Sequence, residues 1–220
     1  FKNSMIYNMA HMPGPSLQTA MNELSNHDHS RFLTRTNRRV GRMNTLGSDA
    51  ASQGIDKGVM REAVVMQMTW VGAPTVYYGD EAGMVGWTDP DNRRSYPWGK
   101  QDWELIEFHK DMIRIHKKYE CFRSGSYKSI ASGSHWICYG RFNKKLQAVI
   151  LINNRRETLT VDLPIWQIGI LENACLKRMI QTTQSTYNVG EVMERAEDGI
   201  LHVTVGPQTA SVYIAAKNVE

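Results

Sequence analysis

The chain has 220 residues, 41% hydrophobic and 22% charged, ordinary usage that excludes disorder, collagen or coiled coil as a description of the whole. Its 26 basic and 22 acidic residues leave a charge of +4, too slight an excess to imply a nucleic-acid partner. Mean hydropathy is -0.44 and no run of roughly 18 apolar residues occurs, so no membrane-spanning helix is expected.

Leu17 to Leu24 reads as a short strand running into Ser25-Asn26-His27-Asp28. Asp56 to Val71 reads as a helix, with Met60, Ala63, Val64, Met68 and Val71 near the 3.6-residue period. Asp56 suits its start, and Gly72 with Pro74 stops it. Thr75-Val76-Tyr77-Tyr78 then reads as a buried strand. A second helix is predicted from Asp102 to Tyr119, with Glu104 and Glu107 early and Lys117 and Lys118 late, as the helix dipole favours. The order strand, helix, strand, helix points to βαβ units and a parallel sheet. Two such units cannot close a barrel, so strands are missing from this chain.

After a boundary near 119–126 the pattern changes. Trp136, Cys138, Gly140 and Phe142 alternate with Ile137, Tyr139 and Arg141. Leu159–Leu163, Leu201–Val205 and Val212 with Ile214 continue the alternation, with turns at Ser132-Gly133, Asn153-Asn154, Asp198-Gly199 and Gly206-Pro207. The expectation is an antiparallel sandwich of about six to eight strands. Cys121, Cys138 and Cys175 are too sparse for a disulfide framework or a cysteine zinc site. No basic stretch followed by an apolar run opens the sequence, so no signal peptide is expected, and a start at Phe1 suggests a processed chain or an excised piece. A cytoplasmic location is the expectation, with secretion as its alternative.

Three clusters have the residue types for chemistry. Asn26-His27-Asp28-His29 offers metal ligands, but neighbours on a strand end project in opposite directions, so a polar loop with a helix cap is the stronger reading and no metal is expected. Tyr77-Tyr78-Gly79-Asp80-Glu81 puts two carboxylates at the C-terminal end of a strand, where parallel-sheet active sites lie, or where a loop pairs its acids with arginines. Asp89-Pro90-Asp91-Asn92-Arg93-Arg94 with Tyr96-Pro97-Trp98 suits sugar recognition. Acids and guanidinium groups bond hydroxyls, and rings cover the apolar face of a pyranose. The alternative is a surface loop of weak ion pairs. Arg31, Arg35, Arg38, Arg39 and Arg42 read as a solvated loop, with no nucleic-acid motif beside them.

Together these clusters resemble the α-amylase family of glycoside hydrolases. Asn26-His27-Asp28 followed by Arg31 is similar to its last signature region. Gly72-Ala73-Pro74-Thr75-Val76-Tyr77-Tyr78-Gly79-Asp80-Glu81-Ala82-Gly83 is similar to its eighth barrel strand and loop. The Asp89–Trp98 stretch resembles the neopullulanase and cyclomaltodextrinase branch. The resemblance implies an α/β plus all-β architecture: residues 1–120 as the last two strand–helix units of a (β/α)8 barrel, and 121–220 as the antiparallel β-sandwich that follows it. It implies a retaining hydrolase of α-glucans, whether starch, maltooligosaccharide, cyclodextrin or pullulan, with no cofactor. Asp28 would be the carboxylate that stabilises the distorted sugar, His27 would bond the same sugar, and Asp89 and Arg93 would hold further glucose units. Asp80 and Glu81 would organise the loop. The family's nucleophile sits in an Arg-x-Asp motif, and no such triplet occurs here. The nucleophile and acid/base are thus expected on a missing part, and this piece alone is expected not to turn over substrate. Exposed strand edges around Met21 and Val76 are expected to favour self-association. The rival reading is a non-catalytic amylase-like binding protein.

Overall fold

A computed structural model describes residues 2–216. Two helices open it, α1 (Lys2–Ala10) and α2 (Gly14–Thr19), and neither buries a residue. Leu17–Thr19 therefore closes a helix, where a strand was expected. Pro15 in its first turn presets the helical φ, and only β1 (Met21–Glu23) is extended. Single-turn helices α3 (Phe32–Arg35) and α4 (Met43–Leu46) follow.

The long helix α5 (Lys57–Thr69) begins where the sequence places it. Asp56 accepts from the Val59 N–H at 3.1 Å, and the chain leaves the helix at Trp70. Its apolar face, Met60, Val64, Val65 and Met68, is buried. β2 (Ala73–Thr75) pairs parallel with β1, Met21 opposite Ala73 and Glu23 opposite Thr75. It lies earlier than the predicted strand at 75–78, because the Tyr78 carbonyl turns away to accept from Arg31 at 2.6 Å. Helix α6 (Trp103–Lys118) has Asp102 as its cap, accepting from Leu105 at 3.1 Å, and buries Leu105, Phe108, Met112 and Ile115. A last turn, α7 (Cys121–Ser124), leads into the sheets.

Eight antiparallel strands follow: β3 (Ser126–Gly133), β4 (Trp136–Phe142), β5 (Leu146–Asn153), β6 (Leu159–Pro164), β7 (Cys175–Thr182), β8 (Tyr187–Arg195), β9 (Ile200–Val205) and β10 (Thr209–Ala216). Six form one sheet in the order β3-β4-β5-β10-β7-β8, and β6 pairs with β9. The central strands of the large sheet are covered on both faces. Ala148, Ile150 and Ile152 of β5 join the core made with α5 and α6. Val149 and Leu151, between them, join the core made with β6 and β9.

Buried polar anchors tie α5 to the sheet. Arg141, 1% exposed, donates to the Thr69 carbonyl at 2.8 Å and to that of Gly125 at 3.0 Å. Arg61 donates to the carbonyls of Thr183 and Gln184 at 3.3 and 3.0 Å, and the Gln208 amide donates to Asp56 at 2.5 Å. A buried guanidinium is tolerable only with such acceptors around it. The three cysteines are free. No described helix is long and apolar enough to cross a membrane.

Candidate functional site

The loop after β1 is shaped by Asn26. Its side-chain oxygen accepts from the N–H groups of Asp28 and His29 at 2.9 and 3.1 Å, and its amide donates to Glu23 at 2.7 Å. This local turn, of the kind Asn favours, leaves the His27 and Asp28 side chains in solvent, each 67% exposed, with Nε2 and Oδ1 3.6 Å apart.

Arg31, by contrast, is fully buried. The sequence assigned it to a solvated arginine run, and the structure corrects that; Arg35, Arg38, Arg39 and Arg42 are exposed. Arg31 donates through Nε to the Asn92 carbonyl at 2.8 Å, and through Nη1 to the Tyr78 carbonyl at 2.6 Å and Asp80 at 3.0 Å. Its guanidinium also lies 4.1 Å from the Tyr77 ring centre and 4.7 Å from that of Tyr78. One planar, multi-donor group thus joins the loops after β1 and β2 and the Asp89–Arg94 segment, a role a lysine could not fill. Burial pushes the Asp80 carboxyl up from its usual range, against the opposing pull of Ser25 and Arg31. Asp80 is consumed in this pair, and Glu81 accepts from the Gly79 N–H at 2.8 Å.

The third segment closes over the first. Buried Asn92 donates to the carbonyls of Asn26 at 3.1 Å and His29 at 2.8 Å. Arg93 pairs with Asp89 at 2.7 Å and donates to the His27 carbonyl at 3.3 Å. Arg94 grips both oxygens of Asp91 at 3.0 and 2.8 Å and also reaches the Ser48 carbonyl at 2.7 Å. Tyr96 and Trp98 pack at a tilt of 51° with ring centres 4.6 Å apart, and Trp98 is 80% exposed.

The segment of His27 and Asp28 is therefore tied through the His27 carbonyl to Arg93 and its partner Asp89, and all four side chains are exposed. A cleft of about 1120 Å³ between α1, β1, α5 and the β3–β4 turn includes none of these four. Among the described residues no three His, Cys, Asp or Glu side chains are placed to hold a metal ion. Such a surface can hydrogen-bond hydroxyls and place one negative charge beside a developing cation. Sequence reasoning quoted Asn92 but saw no part for it. Its signal was an amide set among charges, one side chain able to donate twice to a neighbouring loop's carbonyls.

Comparison with known proteins matches residues 1–153 to the alpha amylase catalytic domain. The chain belongs to the alpha-amylase family. It is 33% identical over 161 residues to neopullulanase 2 of Thermoactinomyces vulgaris, which is 71% of this chain and 25% of that protein. It is 33% identical over 174 residues to cyclomaltodextrinase of Thermoanaerobacter pseudethanolicus, 77% of this chain and 27% of that one. In structure it resembles an Anoxybacillus alpha-amylase, with a TM-score of 0.76 and 25% identity, covering 100% of this chain and 42% of that enzyme. The alpha-amylase match thus spans the first strand–helix segments and the start of the large sheet. The chain covers about a quarter of these two curated relatives' length.

Proposed function

We propose that this chain is the C-terminal portion of a retaining hydrolase of α-glucans, with residues 1–120 ending the catalytic barrel and 121–220 forming the sandwich behind it. Asp28 is its transition-state-stabilising carboxylate. The observation that carries the reading is the Arg31 hub, which fastens the three family-like segments together and leaves Asp28 and His27 exposed beside the Asp89–Arg93 pair. Asp28 and His27 bond the ring hydroxyls of the sugar under attack. Asp89, Arg93 and the Tyr96–Trp98 rings hold the adjoining glucose units. A retaining mechanism needs a nucleophile and an acid/base about 5–5.5 Å apart; this sequence has no Arg-x-Asp triplet, and the reading assigns both groups to the preceding part of the protein. The 220 residues alone do not turn over substrate, and their uncovered edge around Met21, 64% exposed, and Val76, 37% exposed, favours self-association.

The test is kcat and KM of the intact protein on a maltooligosaccharide series. Asp28→Asn keeps the shape and removes the charge, and is expected to lower kcat by about 10²–10³ with the circular-dichroism spectrum unchanged. His27→Ala, which loses a hydrogen bond and no negative charge, costs less. Unchanged hydrolysis in Asp28→Asn removes the assignment. No hydrolysis by the intact wild type favours a non-catalytic glucan-binding protein.

A further inference from the structure

The turn that carries His27 and Asp28 belongs to no strand or helix. Both side chains are 67% exposed, so little packing holds them, and the backbone of the turn decides where the Asp28 carboxylate stands. The Asn26 side chain fixes this backbone from within, through the N–H groups of Asp28 and His29. Asn92 fixes it from a second segment. Its amide nitrogen has two hydrogens. It donates to the Asn26 carbonyl at 3.1 Å and to the His29 carbonyl at 2.8 Å, one on each side of the His27-Asp28 pair.

Asn92 is itself firmly seated. It lies on a single 3-10 turn, Asp91–Arg93, and is 0% exposed. The neighbouring Asp91 accepts from the Trp87 N–H at 2.8 Å and from Arg94. The turn sits flush on Gly86, where a Cβ would run into the Asp91 carbonyl oxygen and stand 2.9 Å from the Asn92 Cα. The Asn92 carbonyl accepts from Arg31 Nε at 2.8 Å. The side-chain oxygen of Asn92, by contrast, has no hydrogen-bond partner among the described residues. A buried acceptor left empty is destabilising. The amide therefore serves through its donors, and both go to the turn around Asp28.

We propose that Asn92 is a positioning residue for Asp28: it holds both ends of the turn and so fixes the carboxylate before charge develops on the sugar. This rests on the reading of Asp28 as the transition-state-stabilising carboxylate. Such a group acts by being in place beforehand, and a displacement of about 1 Å can cost about 10²-fold in rate. Asn92 also precedes Arg93 in the chain, so one anchor registers the turn against the segment assigned to the adjoining glucose units. A carboxylate at this position would have no donor and a hydroxyl one, and neither spans two carbonyls.

The experiment is a double-mutant cycle on the intact protein. Asn92→Ala and Asn92→Leu are each made in the wild type and in Asp28→Asn, and kcat and KM are measured on the maltooligosaccharide series below every unfolding midpoint. Leucine restores volume without donors, and both substitutions leave the Asn92 carbonyl to Arg31. In the wild type each is expected to lower kcat about 10–10²-fold, with KM within about threefold. In Asp28→Asn the same substitutions are expected to lower kcat by less than about threefold, since the charge they misplace is already gone. General damage to the fold lowers kcat equally in both backgrounds, and equal losses overturn the inference. So does an unchanged kcat in the wild type, or failure of both variants to fold, since Asn92 then serves the whole fold and not one turn. Unchanged hydrolysis in Asp28→Asn removes the Asp28 reading itself. The expected loss in Asp28→Asn, beside unchanged kcat in Asn92→Ala and Asn92→Leu, removes this inference alone.

Discussion

The large sheet and the loop cluster after β1 and β2 both rest on a buried arginine, and they use it differently. Arg141 fills a gap between elements that are already complete: α5 has its own hydrogen bonds, and the sheet's central strands are covered on both faces. Arg31 stands in for secondary structure. The residues around it run through turns and single helical turns, and much of their backbone is satisfied by side chains of Arg31, Asn26 and Asn92. A region stabilised by strands can spare one polar contact. A region stabilised by a few long side chains stays open enough to present Asp28 and Asp89 to solvent, at the cost of depending on each of them.

The sharpest way to break this contrast is Arg31→Ala. It strips donors from the carbonyls of Asn92 and Tyr78 and leaves Asp80 buried without its cation. The expected loss is about 3–5 kcal/mol, the range for removing one partner of a buried pair. Denaturant unfolding of the intact protein measures it. Arg31→Lys should rescue little, because an ammonium has no fork to span three acceptors. A near-complete rescue would show that charge alone, and not the geometry of the hub, holds the loops.

Arg141→Met should cost less, about 2–3 kcal/mol, since two carbonyls lose donors while the apolar stem still fills the space. Stability should fall with the proposed site unaffected: kcat of the intact protein on maltooligosaccharides is expected to stay within about twofold. A large loss of kcat in Arg141→Met would mean that the two regions are coupled through α5 and are not separately held.

The same contrast explains what the sequence made legible. α5 and α6 announce themselves by period and by Asp56 and Asp102 at their starts, because those signals act within a few residues. β4, β6, β9 and β10 show alternation. β5 was not named: its Ala148-Val149-Ile150-Leu151-Ile152 run is buried on both faces, and a strand with no wet face has no alternation to read. β8 was missed for the opposite reason. Val189, Val192 and Met193 lie exposed on an edge strand, so no buried face sets a pattern. In the loop cluster, the residues the resemblance named lie on two segments joined by the bond from Arg93 to the His27 carbonyl. The burial of Arg31 was not legible, since its acceptors lie 47 to 61 residues away and only the folded chain brings them together.

The smallest effect should come from the pair at the surface of the cluster. Asp89 and Arg93 are 50% and 48% exposed at 2.7 Å. Water screens such a pair, and holding two long side chains in one geometry costs entropy, so exposed pairs contribute about 0–1 kcal/mol. Asp89→Ala and Arg93→Ala are therefore expected to change stability by less than about 1 kcal/mol each. Arg93→Ala should be the larger of the two, because it also loses the bond to the His27 carbonyl. Function should register them more strongly than folding does. A glucan arriving with its own hydroxyls replaces the water around both groups, and each hydrogen bond then forms in a drier place. On the proposed assignment these groups lie beyond the sugar that Asp28 faces, so they would act on binding in ground and transition state alike. KM for longer maltooligosaccharides should rise several-fold with kcat nearly unchanged, and the shortest substrates should be least affected. A fall in kcat on the shortest substrates, with stability intact, would instead put this pair beside the bond being broken, and would shift the boundary drawn here between the residue that meets the charge and those that hold the chain.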